Sequence, residues 1–386
     1  MTTDHSLTSA LQAHIAQAIA LAKAASPHPE QHAGPGWIGF DTFMALALYT
    51  PGLGYYANDS TKFGLLPFAL QGDAVVAGSD FVTAPEMTPL FGQTLATQVA
   101  QALAVTHTTE VWEFGAGSGA LALQVLDTLT ALGQPLARYT IVDLSGALRA
   151  RQQAKLVKYV DTVRWVSELP EFLQGVVLGN EVLDAMPVKL LVRLSGVWHE
   201  RGVSIADDQF VWQDRPTQLR PPIEIEGEHD YLTEIHPQAE SFMRTLADKL
   251  SVGAAFLIDY GFPEHEYYHP QRAMGTVMCH QGHRADPDPL AQVGHKDITA
   301  HVNFTGIALA AQDAGLSVLG YCTQARFLMN CGLVTRMQAA DLPTRVQAQK
   351  LIMEHEMGEF FKVMGFYKGE PWDALGFSAG DRTHTL

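Results

Sequence analysis

The sequence predicts an α/β fold in which helices cover a parallel β-sheet. After residue 107, short apolar runs alternate with amphipathic segments, as they do in β-α-β units. A glycine-rich loop follows the first of these runs, whereas the first hundred residues are largely of helical pattern and lack the alternation of strands and helices. We therefore expect an N-terminal helical cap over residues 1–106 and an α/β core over residues 107–386. A β-hairpin and a helix form a predicted insertion at about 188–250.

Three helices are predicted in the N-terminal cap. Residues 7–25 place apolar side chains at spacings of three and four, and the pattern stops before Pro27. A second helix is expected within residues 37–56, where Pro51 and the glycine after it break the pattern. The third helix is expected at residues 91–106.

The core is predicted as strands that alternate with helices. Strands are expected at residues 110–114, 138–143, 163–166, 176–179 and 254–259. Helices are expected between them at residues 120–132 and 146–157. Because parallel strands need long crossover connections, this alternation indicates a parallel sheet.

The insertion and the C-terminal part contain further elements. Two alternating runs within residues 189–205 flank Ser195 and Gly196, which predicts a β-hairpin. A helix near residues 238–249 leads back to the sheet. After the last core strand we expect a helix at 297–314, a strand at 316–322, a helix at 344–356 and a strand at 361–367.

Composition predicts a folded chain without a transmembrane helix. Of its 386 residues, 47% are hydrophobic and 17% are charged. No uninterrupted apolar run reaches the length of about 18 residues that suggests a membrane span. Residues 1–26 contain Asp4 and no arginine, which fits neither a secretory signal nor a mitochondrial transit peptide. Three cysteines without a CxxC pair argue against disulfides and zinc, so the expected compartment is the cytoplasm.

The formal net charge of −16 bears on the class of partner. It repels phosphate backbones, and no cluster of five or six basic residues compensates for it, which argues against nucleic acid as a substrate. An acidic protein attracts basic partners, although solubility alone also explains such a charge.

A glycine-rich loop joins the first core strand to the helix after it. Its residues are Gly115, Ala116, Gly117, Ser118 and Gly119. Small side chains there let the backbone approach a bound molecule. Asp143 ends the next strand, where an acid accepts hydrogen bonds from both hydroxyls of a ribose, and Leu144 follows it beside the same nucleoside. The pattern predicts a cofactor that contains a nucleoside.

Glu113 lies just before the glycine-rich loop, and its charge distinguishes between two classes of cofactor. A dinucleotide enzyme holds a pyrophosphate at this helix N-terminus, and an acid at Glu113 would repel it. The same acid suits the cationic methionine moiety of S-adenosylmethionine, bound directly at its ammonium group or through water. The spacing is GxGxG, with Ala120 at the third glycine position of the dinucleotide pattern. The sequence therefore favours S-adenosylmethionine, with a dinucleotide or a purely structural turn as the alternatives.

A second polar group follows the strand expected at 176–179. Asn180, Glu181 and Asp184 come at the carboxyl end of this strand, which faces the reaction crevice in a doubly wound sheet. We expect Asn180 and Glu181 to point towards the methyl group that is transferred. The alternative is that Asp184 caps a helical turn and Asn180 bonds to loop backbone.

Six segments occur in order over nearly the whole chain. They are LYTPGLGYY (48–56), DFVTAPEMTPLF (80–91), VWEFGAGSG (111–119), NEVLDAMP (180–187), IDYG (258–261) and DITAHVNF (297–304). Together they resemble the MidA-like methyltransferase family. The resemblance implies a Rossmann-like class I S-adenosylmethionine fold with added helical elements. It also implies protein-arginine methylation, since the mitochondrial members of this family assist the assembly of respiratory complex I through that activity.

Two positions depart from the family pattern. Asp143 stands where a glutamate is frequent, a change that keeps ribose binding. Asn303 stands where an aspartate is frequent, and because the change removes a charge we assign Asn303 no catalytic role.

An arginine acceptor would require carboxylates near the transferred methyl group. The methyl acceptor must lie about 3 to 3.5 Å from the methyl carbon. A guanidinium with a pKa above about 12 is a poor nucleophile until a carboxylate localises its charge and takes its proton. Glu181 is the first candidate, with Asp184 and Glu86 as helpers, and Glu86 equally suits cofactor binding. His301, expected on a helix, either shuttles a proton or simply packs.

The predicted function is methylation by S-adenosylmethionine, with an arginine of a protein partner as acceptor and a respiratory-complex subunit as one candidate partner. Methylation of a small molecule or of another side chain is the first alternative. The second alternative is an assembly protein that binds the cofactor without turnover. No NPPY-type motif follows the fourth strand, which further argues against nucleic acid.

Overall fold

The computed structural model describes residues 2–24, 36–58, 68–71, 74–77, 83–143, 146–282 and 284–386. Its α-helices within these residues are α1 (Thr2–Ala24), α2 (Phe40–Tyr49), α3 (Ala84–Met87), α4 (Leu90–Thr106), α5 (Ala120–Ala131), α6 (Gly146–Lys155), α7 (Pro237–Lys249), α8 (Glu264–Tyr267), α9 (Phe304–Asp313), α10 (Gln324–Asn330), α11 (Leu333–Ala339) and α12 (Leu342–Lys350). In the part of the chain described here, no helix is both long and apolar enough to cross a membrane.

The strands in the same residues are β1 (Ile38–Gly39), β2 (Phe68–Gln71), β3 (Ala74–Ala77), β4 (Glu110–Phe114), β5 (Arg138–Val142), β6 (Val163–Val166), β7 (Leu173–Asn180), β8 (Lys189–Leu194), β9 (Val197–Ala206), β10 (Gln209–Pro216), β11 (Tyr231–Ile235), β12 (Leu250–Phe262), β13 (Met278–Gln281), β14 (Arg284–Asp286), β15 (Asp297–Thr299), β16 (Val302–Asn303), β17 (Ser317–Thr323) and β18 (Phe361–Lys368). Helices and strands are both substantial, which confirms the predicted α/β class.

The chain packs as two compact units. Unit 1 comprises residues 1–60, 185–239 and 262–303, and unit 2 comprises residues 61–184, 240–261 and 304–386. The predicted boundary at residue 106 does not coincide with this division, because α4 belongs to unit 2 and packs there against α5. The hairpin of the predicted insertion at 188–250 is found in unit 1, together with β13 to β15, which the sequence did not predict.

A sheet in unit 2 contains the predicted strands. Its strands lie in the order β17-β18-β12-β7-β4-β5-β6. The five from β12 to β6 are mutually parallel, whereas β18, from the C-terminal part, is antiparallel to both of its neighbours, β12 and β17. The chain order reverses direction at β4, between β5 on one side and β7 on the other. In an open α/β sheet, such a reversal opens a crevice at the carboxyl ends of the strands.

Apolar side chains from helices and strands form the core of unit 2. Val111 of β4, Leu178 of β7 and Phe256 of β12 are buried with Leu95 of α4 and Leu126 of α5. The nearly continuous burial of these strands explains why short apolar runs predicted them: both faces of the sheet are covered. Removing any one of these side chains would leave a cavity beneath the carboxyl ends of the strands.

Unit 1 is built around an antiparallel sheet. Its strands lie in the order β1-β9-β8-β11, with β10 paired to β9. The turn between β8 and β9 contains Ser195 and Gly196, so the predicted hairpin is confirmed. Helix α2 packs Phe40, Phe43 and the apolar residues that follow at helical spacing into the core of this unit.

The prediction of one helix at 297–314 is wrong for its first part. Residues Asp297–Thr299 form β15, which pairs with β13, and the helix begins only at Phe304. Ile298, Thr299 and Val302 are β-branched, a class of residue that favours strands, and Ile298 is buried opposite Cys279. His301 therefore follows a strand and does not lie on a helix.

The helix predicted at 344–356 begins earlier and ends earlier than expected. Asp341 accepts a hydrogen bond from the backbone N–H of Thr344, and this capping interaction starts α12 at Leu342. The helix ends at Lys350, and a separate π-helical turn occupies Glu354–Gly358.

Candidate functional site

The candidate site lies at the carboxyl ends of the parallel strands of unit 2. Strands β4, β5, β7 and β12 contribute the loops that follow them. All the site residues predicted from the sequence belong to this unit except His301, which belongs to unit 1. Leu144, predicted to lie beside the nucleoside, falls outside the described residues.

The glycine loop after β4 has a backbone that side chains disfavour. Gly115, Gly117 and Gly119 have φ angles of 63°, 52° and 81°, all in the left-handed region. A Cβ atom on Gly115 would lie 3.1 Å from a methyl group of Val182. Ala116 is buried, and Gly119 directly precedes α5, so the loop leads into a helix N-terminus. The loop therefore combines close packing with a local excess of N–H donors.

Glu113 is buried beneath this loop, with 2% of its surface exposed. The hydroxyl of Tyr139 donates a hydrogen bond of 2.7 Å to its Oε2 atom. Burial raises the pKa of Glu113 to about 7, the Tyr139 hydrogen bond opposes the rise, and the nearby charge of Asp143 adds to it. A cation brought next to Glu113 would favour the ionised form, so this carboxyl group is suited to a positively charged ligand.

We expect Glu113→Gln to remove a pH dependence from the stability of the cofactor-free protein. Between about pH 4.5 and pH 7, folded Glu113 keeps a proton that the unfolded chain has released. The unfolding free energy of the wild type therefore falls as pH rises through this interval, by about 3 kcal/mol in total. Glutamine cannot titrate, so the variant lacks this contribution. Denaturant unfolding of both forms at several pH values measures the difference.

The matched control for this experiment is Glu110→Gln, at the first, half-exposed residue of the same strand. It removes one carboxyl group from the same strand without touching the buried position of Glu113, so it controls for the loss of a negative charge. A constant difference between Glu113→Gln and the wild type at every pH would contradict the raised pKa of Glu113.

Asp143 follows β5 on the neighbouring strand. Its backbone N–H donates to the carbonyl of Val166, and its Oδ2 atom accepts a 2.8 Å hydrogen bond from the side chain of Gln152. The same Gln152 amide group donates to the carbonyl of Gly117 in the glycine loop, at 2.9 Å. The structure thus brings the predicted ribose acid and the glycine loop together through one buried glutamine.

Asn180 and Glu181 lie where β7 ends. The Nδ2 atom of Asn180 donates to Oε1 of Glu181 at 2.9 Å, and the backbone N–H of Glu181 bonds to the carbonyl of Ile258 on β12. Glu181 has a φ angle of 54°, which is unfavourable for a residue with a side chain. The Oδ1 atom of Asn180 is buried and accepts no hydrogen bond from the residues that the structure describes. A donor group on a ligand would satisfy it.

The carboxylate of Asp184, for which capping of a helical turn was the predicted alternative, bonds to a side chain of the neighbouring strand. Its Oδ2 atom accepts a 2.6 Å hydrogen bond from the hydroxyl of Tyr260, which follows Asp259 on β12. Asp184 is buried, and the ring of Tyr260 packs edge-on against Phe361. The side chain of Asp184 is therefore held by the neighbouring strand.

Asp259 anchors the whole loop that follows β7. Its Oδ2 atom accepts hydrogen bonds from three successive backbone N–H groups, those of residues 182, 183 and 184, at 3.1, 2.9 and 3.3 Å. Its other oxygen accepts from the backbone N–H of Tyr260. Complete burial raises the pKa of Asp259 well above its ordinary value, and the carboxylates of Asp184 and Glu181 raise it further, while the N–H donors lower it. Three carboxyl groups therefore interact at the ends of β7 and β12.

Glu86 reaches the glycine loop from α3. The hydroxyl of Ser118 donates to its Oε1 atom, and the ammonium group of Lys155 lies 3.6 Å from the same oxygen. Lys155 also donates to Ser118 at 2.7 Å. These contacts place the carboxylate of Glu86 against the glycine loop.

Three residues with prominent contacts at this site were not among the predicted site residues. Asp259 and Tyr260 belong to the IDYG segment, and their position at a strand end was the available signal. Gln152 lies on α6, and nothing in the local sequence distinguishes it from the glutamine beside it. Its contacts join residues of three different elements, which only the folded chain reveals.

The chain fits an S-adenosylmethionine-type ligand by its own geometry. The glycine loop offers a backbone free of side chains, Glu113 a buried acid for the methionine ammonium, and Asp143 an acid at the ribose position. The unsatisfied Oδ1 atom of Asn180 adds a buried acceptor at the adjacent strand end.

Comparisons with known proteins agree with this geometry. The Methyltransf_28 family model, which describes S-adenosyl-L-methionine-dependent methyltransferases, matches residues 92–322. A COG1565 superfamily protein from Burkholderia thailandensis, solved with S-adenosyl-homocysteine bound, is 46% identical to the chain with a TM-score of 0.89, and covers 100% of this chain and 99% of its own. A native crystal structure of a COG1565 superfamily protein from the same organism is 45% identical, with a TM-score of 0.86 and the same coverage.

More distant relatives have printed names that specify an acceptor. The Danio rerio protein arginine methyltransferase NDUFAF7, mitochondrial, is 26% identical to the chain, and the match covers 85% of this chain and 82% of the relative. A Caenorhabditis elegans homologue with the corresponding name is 25% identical, over 88% of this chain and 87% of the relative.

Proposed function

The chain belongs to the Methyltransf_28 family of S-adenosyl-L-methionine-dependent methyltransferases, and from this premise we propose that it methylates an arginine side chain of a protein partner in the cytoplasm. The cofactor and the methyl-transfer reaction follow from the family and from the similar structure with S-adenosyl-homocysteine. The arginine acceptor is supported by the names of the distant relatives and by the acidic loop after β7.

The observation that carries the proposed acceptor is the group formed by Glu181, Asp184 and Asp259. Their mutual repulsion contributes to the raised pKa of Asp259, so a cation at this strand end would stabilise their ionised forms. A guanidinium is a permanent cation with five N–H donors that match carboxylate oxygens. The acceptor class with the best electrostatic match is therefore arginine.

Each residue of the site has a separate role in the reaction. S-adenosylmethionine supplies a methyl group on a cationic sulfur. We assign the ammonium of its methionine moiety to Glu113 and its ribose to Asp143, with Gly115, Gly117 and Gly119 leaving room for the approach. Glu181 holds the guanidinium in line with the methyl group and receives its proton, and Asn180 orients Glu181 through their 2.9 Å hydrogen bond. Asp184 and Tyr260 fix the position of the loop.

The position of Glu181 is fixed through both its side chain and its backbone. Asn180 donates to one of its oxygens, and the backbone N–H of Glu181 is fixed on β12. Because the backbone of Glu181 is in the left-handed conformation, its side chain leaves the main chain in a different direction from that of a residue in a regular strand. Strained backbone of this kind is frequent at active sites, where other contacts stabilise it.

The test is methyl transfer from labelled S-adenosylmethionine into a bacterial lysate treated with the purified protein. We expect the label in protein, and we expect acid hydrolysis to release it as methylated arginine. A respiratory-complex subunit is the first purified substrate to try, because the family resemblance suggests it. A chain with Glu181→Gln serves as the control for background transfer by lysate enzymes.

Each alternative function predicts a different location of the label. Label in the small-molecule fraction, or in lysine or another side chain of protein, would overturn the arginine proposal. Binding of S-adenosylhomocysteine without transfer into any fraction would favour an assembly protein that has lost turnover.

A further inference from the structure

Gln152 occupies the centre of a hydrogen-bond network that links three elements of unit 2. It lies on α6 and is completely buried, with 0% of its surface exposed. Its Nε2 atom donates to the carbonyl of Gly117 at 2.9 Å and to Oδ2 of Asp143 at 2.8 Å. Its Oε1 atom accepts a 2.8 Å hydrogen bond from the indole N–H of Trp165 on β6.

The chemistry of these partners determines why a glutamine is needed. An indole nitrogen only donates, so Trp165 requires the amide oxygen of Gln152. A carbonyl and a carboxylate only accept, and the two N–H groups of the amide nitrogen satisfy one each. Glutamate has the same shape but would place an acceptor against two acceptors. Leucine would leave the buried groups around it without partners, which is costly.

The network connects the two parts of the site that handle the nucleoside. Gly117 lies in the glycine loop and Asp143 at the end of β5, and the amide nitrogen of Gln152 bonds to both. Gln152 also packs closely under the loop, since a Cβ atom on Gly119 would lie 3.4 Å from its Cγ atom. The position of the Asp143 carboxylate therefore depends on α6.

We propose that Gln152 is a positioning residue for the cofactor: it holds the Asp143 carboxylate at the orientation that accepts both ribose hydroxyls, and its bonds to Gly117 and Trp165 fix the amide for this task. Gln152 does not touch the ligand in this role and acts through Asp143. The inference concerns the cofactor of the family and does not depend on the arginine acceptor, because every test below omits the acceptor.

The test compares two ligands, S-adenosylhomocysteine and its 2′,3′-dideoxy analogue, which lacks both ribose hydroxyls. Calorimetry gives both dissociation constants for the wild type and for Gln152→Leu. We expect the variant to bind S-adenosylhomocysteine about tenfold more weakly or worse, since the lost interaction involves a charged group. Affinity for the dideoxy analogue should change much less, so the wild-type preference for the hydroxyl-bearing ligand should collapse.

The matched control is Gln153→Leu, an exposed glutamine one position along the same helix. It should keep both dissociation constants within about twofold of the wild type, as most surface substitutions have small effects. Equal weakening of both ligands by Gln152→Leu would show a merely structural role, and unchanged affinity for S-adenosylhomocysteine would equally overturn the proposal.

A second variant covers the case in which Gln152→Leu does not fold. Gln152→Glu keeps the volume but sets a carboxylate against Asp143, so it should lose affinity for S-adenosylhomocysteine above neutral pH. Lowering the pH protonates the new carboxyl group, which then donates to Asp143 and should restore affinity relative to the wild type measured at the same pH. A ratio of the two affinities that does not change with pH would contradict the proposal.

Discussion

Replacing Glu181 with glutamine should slow methyl transfer to arginine by about a hundredfold or more while the affinity for S-adenosylhomocysteine changes little. Glutamine keeps the shape of the side chain and an oxygen that accepts the hydrogen bond from Asn180. It cannot balance the charge of a guanidinium or take its proton. Removing one partner of a buried ion pair costs about 3 to 5 kcal/mol, and a loss of that size in the transition state corresponds to the expected decrease in rate.

The control for this experiment is Glu171→Gln, an exposed glutamate just before the amino end of the same strand, β7. It removes the same charge from the protein at a position remote from the carboxyl ends of the strands. Initial rates are measured for all three proteins at saturating cofactor, with calorimetry to confirm cofactor binding. Turnover of Glu181→Gln near the wild-type rate would exclude Glu181 from the mechanism and direct attention to Asp184 or Glu86.

A Gly117→Val substitution should abolish measurable binding of S-adenosylhomocysteine, a loss of at least about a hundredfold in affinity. Gly117 has a φ angle of 52°, a conformation that a β-branched residue adopts only under strain. The valine side chain would also occupy the space through which the loop backbone approaches the cofactor. Backbone strain and steric exclusion both weaken cofactor binding, so the property that is lost is affinity for the cofactor.

The Gly133→Val variant separates the effect of backbone strain from the effect of steric exclusion of the cofactor. Gly133 has a φ angle of 66° in the turn after α5, and a Cβ atom there would have nothing within 4 Å. The two variants should lose similar amounts of stability, but only Gly117→Val should lose cofactor affinity in calorimetry. A folded Gly117→Val protein that still binds S-adenosylhomocysteine would mean that the glycines serve the turn and not the ligand.

Local patterns in the sequence were sufficient for the five parallel strands of unit 2, for one hairpin of unit 1 and for the position of the glycine loop. Apolar runs of four or five residues located β4 and β6 at their observed bounds, and the Ser195-Gly196 turn located the hairpin of β8 and β9. These elements are determined by neighbours in the sequence, through periodicity and turn chemistry. The glycine loop and Asp143 were predictable for the same reason, since their spacing reflects one β-α-β unit.

Contacts between distant parts of the chain could not be predicted in this way. The carboxylate of Asp259 meets backbone groups about seventy-five residues earlier, and Gln152 joins two loops by a side chain that resembles any other helical glutamine. The conformation of Glu181 is equally a tertiary effect, because the ladder between β7 and β12 fixes its backbone N–H. At residues 297–299, pairing with β13 overrides the helical pattern.

The anchoring of the loop after β7 also bears on how enzymes of this architecture diverge. Asp259 binds the N–H groups of three successive residues, and a backbone N–H is the same whatever side chain its residue has. The turn can therefore persist through mutation of the residues that form it, as long as β12 keeps its aspartate. Side chains on this loop can then change during evolution while its backbone keeps the same conformation. A new methyl acceptor would therefore require new side chains but not a new fold.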